Sequence, residues 1–281
     1  MVVIGAVVEN YDGAGELMQM RADDGRQQTV LQAVVAALRS ARRVLVITGA
    51  GISADSGLPT YRGIGGLYES GQTEDDVPIE VALSGEMMLR RPELTWKYLS
   101  QVEQACRGAG FNAAHQALAQ LAPRFERFTV LTQNIDGFHL DAGQPDVIEI
   151  HGSFRQLYCV ACQRRWRVQD YAALRPPPIC DHCCGMVRPD VVLFGEMLPT
   201  PAVTRLQACL SAPLDLVMSI GTTSVFPYIS GSVENAARAG VPTVEINPGD
   251  SDVSDLVQHR LKMRAAEALP QINALLKAEA A

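Results

Sequence analysis

The sequence predicts an α/β protein: a doubly wound parallel sheet with a smaller second module. Three observations predict it. Short β-branched runs recur along the chain and are apolar at consecutive positions, as strands buried on both faces are. Helical periodicities fall between those runs. The first run leads into Gly49-Ala50-Gly51-Ile52-Ser53-Ala54, a G-x-G-x-x-A turn of the kind that joins a strand to a helix in dinucleotide-binding sheets.

Taken in order, residues 1–28 show no clear period and are read as an extension. From Thr29, the positions Val30, Leu31, Val34, Val35 and Leu38 recur at helical spacing up to about Arg42. Arg43 to Thr48 is the first strand, and similar runs stand at Phe128 to Leu131, Val147 to Ile150, Leu214 to Ile220 and Pro242 to Ile246. Helical patterns occupy Pro92 to Cys106, Ala113 to Leu121, Ala202 to Leu210 and Gly231 to Ala239. Two stretches break the alternation: Thr60 to Arg91, rich in Gly and polar residues, and His151 to Asp190, which holds two C-x-x-C pairs. The expected division is therefore a dinucleotide-binding domain of residues 29–62, 110–151 and 196–281, and a small domain of 63–109 and 152–195.

At 281 residues, with 47% hydrophobic and 20% charged, the chain has the composition of a globular protein and is too apolar for disorder as its main state. Its 24 basic against 31 acidic side chains give a net charge of −7. No bulk positive field exists to condense nucleic acid or anionic lipid, so neither a direct nucleic-acid partner nor a membrane is expected. No stretch approaches the length of a membrane-spanning helix, and the apolar start lacks a basic flank, so no signal peptide is expected. Seven cysteines, four of them in C-x-x-C pairs, fit metal binding in a reducing compartment better than a disulfide framework, and a cytoplasmic location follows as the expectation.

Cys159, Cys162, Cys180 and Cys183 have the spacing of a zinc ribbon, with 17 residues between the pairs. Four thiolates close the coordination shell and leave no place for an activated water, so the Zn2+ is expected to be structural and the catalysis elsewhere. Cys184 reads as a spectator, and Cys106 and Cys209 as core residues. His182 reads as a loop residue, and His115 and His259 as structural or surface residues in helical stretches. His139 and His151 remain. Gln133, Asn134, Asp136 and His151 follow the ends of two expected strands, where open parallel sheets bind ligands, so they are either crevice residues or ordinary turn residues. The G-x-G-x-x-A turn alone is equally ambiguous.

In combination these segments resemble the sirtuins, NAD-dependent protein lysine deacylases, of bacterial deacetylase type. The resemblance rests on Gly49 to Gly63, Thr132 to His139, His151 to Ser153, the two cysteine pairs, Arg188 to Glu196, Gly221 to Ser224 and Glu245 to Pro248, in that order. It implies a Rossmann-like domain and a zinc-ribbon plus helical module with NAD between them. Gly49, Ala50, Gly51, Ser53, Tyr61 and Arg62 would lie along the cofactor loop, and Gln133, Asn134, Ile135 and Asp136 would meet the nicotinamide end. Gly221, Thr222, Ser224 and Asn247 would hold the pyrophosphate and adenosine, with Arg264 and Ala265 near the adenine. Val192, Phe194, Gly195, Glu196 and Val225 would line an acyl-lysine peptide added as a strand.

His151 would be the catalytic base, with Asn134 and Asp136 catalytic beside it. The family's chemistry transfers the acyl group to ADP-ribose: the amide oxygen displaces nicotinamide from the ribose, and a base then activates a ribose hydroxyl. An imidazole is largely neutral and usefully basic near pH 7.

Thr60 and Tyr61 depart from the usual Asp and Phe, and Gly221 to Pro227 is one residue shorter than usual. Members that prefer acidic acyl groups carry a Tyr-x-x-Arg pair where Leu99 and Val102 stand here, so acetyl or other uncharged acyl groups are the expected substrates. Alternatives are ADP-ribosyl transfer or NAD hydrolysis, which share the loss of nicotinamide, and a non-catalytic NAD-sensing module.

Overall fold

The computed structural model describes residues 13–58 and 73–278. The chain opens with α1 (Gly13–Ser40), β1 (Arg43–Thr48) and two 3-10 turns at Ala50–Ile52 and Ala54–Ser56, and continues with α2 (Ile79–Ala82), α3 (Gly85–Arg90), α4 (Pro92–Cys106) and α5 (Ala113–Leu121). Next come β2 (Arg127–Thr132), α6 (Phe138–Asp141), β3 (Val147–Glu149), β4 (Gly152–Cys159), β5 (Arg165–Arg167) and β6 (Val187–Val191). The last third is α7 (Thr200–Ser211), β7 (Leu216–Ile220), α8 (Pro227–Arg238), β8 (Thr243–Ile246), β9 (His259–Leu261) and α9 (Ala265–Ala278).

Six strands form one sheet in the order β3-β2-β1-β7-β8-β9, with every neighbouring pair parallel. The continuous apolarity of β1 has its cause here. Val44 and Val46 face a core built with α1, α5 and α9, while Leu45 and Ile47 face a second core built with α7 and α8. None of the four is more than 1% exposed, and burying each side chain is worth roughly 1.5–3 kcal/mol against its exposed state. Helix boundaries follow local chemistry. Proline occupies the first turn of α4, α7 and α8, where its missing N–H has no helical partner to lose. Asn112 caps α5 by accepting from the Ala114 N–H at 2.9 Å, and His115 Nδ1 accepts the Asn112 N–H in return at 3.3 Å.

Four expectations are corrected. The first helix begins at Gly13, not Thr29; among its residues from Gly25 on, the visible period marks the buried positions Leu31, Val34, Val35 and Leu38. Among the described residues, the turn after β1 leads into two 3-10 turns and not directly into a long helix. Helix α8 starts at Pro227, four residues before Gly231. His259 begins the edge strand β9 and is not helical, because the Val244↔His259 and Ile246↔Leu261 pairings override a pattern too short to read.

The two interruptions pack together. Helices α2 to α4 share one core with the antiparallel sheet β5-β4-β6, centred on the fully buried Trp96, whose Nε1 donates to the Val187 carbonyl at 3.0 Å. The chain crosses between the lobes directly from β3 to β4, and His151 sits in that crossing.

Candidate active site

The sheet order reverses between β1 and β7, since the chain proceeds outward from β1 to β2 and β3 and then restarts at β7 on the other side. A crevice opens at such a switch point beyond the strand ends. Its floor is two turns in unusually close contact. The Gly51 N–H donates to the Gly221 carbonyl at 2.8 Å. A β-carbon added to Gly51 would lie 2.7 Å from the Gly221 α-carbon, and one added to Gly221, whose φ is +57°, would lie 2.5 Å from the Ile52 nitrogen. The glycines of the G-x-G-x-x-A segment are thus required by the approach of β1's turn to β7's turn.

A polar network spans this floor. Gln133 Nε2 donates to Thr222 Oγ1 at 2.8 Å and to the Thr48 carbonyl at 3.3 Å. Asn134 Nδ2 donates to the Gly49 carbonyl and to Ser53 Oγ, both at 3.2 Å, and Ser53 Oγ donates onward to Asp136 at 2.8 Å. Asp136 also accepts the Phe138 N–H at 3.0 Å. Burial raises the Asp136 carboxyl above its ordinary value, against these two hydrogen bonds, which lower it. Asn247 Nδ2 donates to the Thr222 carbonyl at 3.1 Å, tying the end of β8 into the same floor.

His151 stands at the crevice wall. Its Nδ1 is 2.9 Å from the Gln133 carbonyl, which can only accept, so Nδ1 carries the proton. In the neutral ring the lone pair is therefore on Nε2, which lies 2.6 Å from the Tyr228 hydroxyl. Burial holds the imidazole below its ordinary pKa, with the Gln133 carbonyl acting in the opposite direction. Gly152 makes the placement possible: at φ +76°, a β-carbon there would lie 2.0 Å from the Asp190 carbonyl oxygen.

Other expected residues divide. Ile135 packs against the small-lobe core, and its carbonyl accepts the Phe154 N–H. Val192 donates its N–H to the His151 carbonyl, and Phe194 pairs with the segment before α3, accepting from Gly85 and donating to Leu83. Gly195, at φ +80°, turns the chain. Glu196 holds that turn by receiving the Arg188 guanidinium, at 2.5 Å and 2.9 Å, and the Leu193 N–H at 2.9 Å. Val225 is exposed, whereas Ser224 is buried, its hydroxyl 3.3 Å from Ser219 Oγ. Arg264 is ion-paired with Asp55 at 2.8 Å, and Ala265 is buried at the start of α9. Ala50 is half-buried at the crevice floor. Thr60, Tyr61 and Arg62 lie outside the described residues.

His115 and His139 are buried and neutral, the first pushed down to about 4 and the second to about 3, chiefly by burial. Sequence reasoning passed over Tyr228 and Phe226. The only sign of them was the shortened glycine-to-proline segment that ends in Pro227.

Cys159, Cys162, Cys180 and Cys183 converge with all four sulfurs within 4.8 Å of one another. The Cys159–Cys183 and Cys162–Cys180 separations of 3.4 and 3.8 Å fit a tetrahedral ion with Zn–S bonds of about 2.3 Å. Cys184 adjoins them in a left-handed conformation (φ +59°) outside this set, which suits a closed, structural zinc.

A parallel sheet with a crevice at its switch point and a second lobe built on a four-cysteine cluster defines a two-lobed dinucleotide-binding protein. Residues 49–227 match the Sir2 family, and the chain belongs to it. It is 49% identical over 242 residues to NAD-dependent protein deacylase 2 of Pseudomonas aeruginosa, covering 85% of this chain and 94% of that one. It is 50% identical over 246 residues to the protein of the same name from Pseudomonas syringae pv. tomato, covering 86% and 98%. Among solved structures, a Sir2 homolog–NAD complex superposes with a TM-score of 0.80 at 28% identity, covering 89% of this chain and 95% of that one. A Sir2–p53 peptide–NAD complex does so with a TM-score of 0.76 at 26% identity, covering 89% and 99%.

Proposed function

We propose that this chain removes acetyl and other uncharged acyl groups from lysine side chains of proteins, with NAD as co-substrate, and that His151 is its base. The chain is an NAD-dependent protein deacylase of the sirtuin kind. When bound, NAD supplies a ribosyl carbon that takes the acyl oxygen as nicotinamide leaves. The turns at Gly49–Ser53 and Gly221–Thr222, with Gln133 and Asn247, are the groups that would hold it. The observation that carries the base assignment is the hydrogen bond from His151 Nδ1 to the Gln133 carbonyl, which leaves Nε2 as the basic atom at the junction of the lobes. Asn134, Ser53 and Asp136 form the polar wall beside it.

The peptide would lie between the lobes along Val192 to Glu196 and Val225. The expected division into residues 29–62, 110–151 and 196–281 against 63–109 and 152–195 is the reading we adopt for the two lobes. The uncharged-acyl preference is supported by Leu99, buried in the small-lobe core, and the half-buried Val102, neither of which offers a cation. The neighbouring Tyr98 is committed elsewhere, its hydroxyl donating to Asp75. Metal-binding thiolates support a reducing, cytoplasmic setting. Among the described residues no helix is long and apolar enough to cross a membrane.

The test is His151→Ala, which is expected to lose deacylation by at least about a hundredfold, the usual worth of a general base, while keeping its fold and zinc content. Normal turnover in that variant would remove His151 from the reaction.

A further inference from the structure

The basic nitrogen of His151 is already occupied. Because Nδ1 donates to the Gln133 carbonyl at 2.9 Å, only Nε2 is able to take a proton, and it is the nitrogen 2.6 Å from the Tyr228 hydroxyl. With a bare lone pair on Nε2, the phenol is the donor. Desolvation pushes the Tyr228 phenol up to about 12, so it keeps its proton throughout the working range.

The contact is built, not incidental. Tyr228 is the second residue of α8, Phe226 stacks on its ring with centroids 5.4 Å apart and 13° between planes, and Phe226 also meets the His151 ring edge-on at 5.9 Å. Within hydrogen-bonding distance, the His151 ring meets only the Gln133 carbonyl and the Tyr228 hydroxyl among the described residues.

We infer that Tyr228 is a displaceable cap on the base: its hydroxyl holds His151 Nε2 in the free enzyme and yields that place to the substrate hydroxyl when the reaction complex forms. The inference rests on His151 being the base. A base whose sole lone pair is engaged accepts no other proton until that bond is exchanged. Tyr228 is thus a positioning residue, which holds the ring angle of the tautomer that the Gln133 carbonyl sets and imposes an exchange on productive binding.

A donor to neutral Nε2 favours the neutral ring, so removing it raises the His151 pKa. In Tyr228→Phe the ring and its stacking remain. The acid limb of kcat/KM, which reports the free enzyme, is expected to move to higher pH by up to about one unit, and kcat/KM at its plateau to rise about two- to tenfold, the worth of one hydrogen bond. The acid limb of kcat, which reports the complex from which the cap has already gone, stays where it is. Limbs that move together mean that the phenol stays on the base during the reaction, and overturn the cap. Limbs that both stay, with kcat/KM unchanged, mean that the hydroxyl does not matter to the base, and overturn it too.

A second measurement uses the unaltered protein. The 15N resonance of His151 Nε2 is followed with and without ADP-ribose, which carries the ribose hydroxyls and does not turn over. A changed Nε2 shift on saturation, with Nδ1 still protonated, is expected. An Nε2 signal that is the same in Tyr228→Phe as in the parent protein overturns the inference. Turnover by His151→Ala defeats the base assignment separately, since the resonance of the free enzyme reports the Tyr228 contact whatever His151 does.

Discussion

Gly51 and Gly221 touch backbone to backbone across the switch point of the sheet, with the Gly51 N–H on the Gly221 carbonyl at 2.8 Å and no room for a β-carbon on either residue. Two strand-end turns that come from opposite halves of the sheet are thereby fused into one surface. The backbone groups and the side chains of Gln133, Asn134 and Thr222 are presented from that surface.

Gly221→Ala adds both a clash and an unfavourable left-handed φ of +57°. It is expected to cost at least about 2 kcal/mol of stability and to weaken NAD binding more than tenfold. Urea unfolding and calorimetric titration with NAD measure the two effects; unchanged affinity would separate the glycine contact from the cofactor floor.

The turn at Val192 to Glu196 depends on a largely buried ion pair. Arg188 and Glu196 side chains are 8% and 26% exposed. Glu196→Ala leaves the guanidinium and the Leu193 N–H without their carboxylate, and should cost roughly 2–4 kcal/mol. Because the turn lies where the peptide is proposed to bind, KM for peptide should rise more than kcat falls. A kcat loss with unchanged KM would speak against that position for the peptide.

His115 and His139 make the fold acid-sensitive. Their folded pKa values, about 4 and about 3, lie below the ordinary 6.5, so below pH 6.5 the unfolded chain binds protons that the folded chain refuses. Stability is full above pH 6.5 and is lost progressively as pH falls toward 4, by about 3 kcal/mol for His115 alone. Urea midpoints taken across that window measure the slope, which should flatten in His115→Gln.

Chelation should remove one zinc per chain and unfold the small lobe, because the tetrad ties the end of β4 to the loop that precedes β6. The variant Cys180→Ala should behave the same way. Retained activity in a metal-free protein would refute a clamping role.

Acetyl peptide should outcompete succinyl peptide in a mixed assay, since Leu99 and Val102 give a carboxylate no partner. A higher kcat/KM for succinyl would reverse the assignment.

The sequence was most readable where one physical demand dominated. Strand β1 is apolar throughout because both of its faces are covered, and the cysteine pairs are spaced by tetrahedral coordination. His151 was singled out through the order of surrounding segments, and what leaves Nε2 as the nitrogen with the lone pair, as proposed for the base, is a carbonyl 18 residues away. Tyr228 escaped because its partner is 77 residues earlier in the chain and no local period links them. Strand β9 escaped because only three residues, His259 to Leu261, carry it, two of them half-exposed and polar. The glycines of the first turn were legible as a turn, but their contact with Gly221 depends on a strand that returns some 170 residues later.

The most direct measurement is mass spectrometry of both products after incubation with an acetylated peptide, with and without NAD. The prediction is free lysine formed one-for-one with acetyl-ADP-ribose and none at all without NAD. Equal deacetylation in the absence of NAD, or ADP-ribose released with the peptide still acetylated, would contradict it.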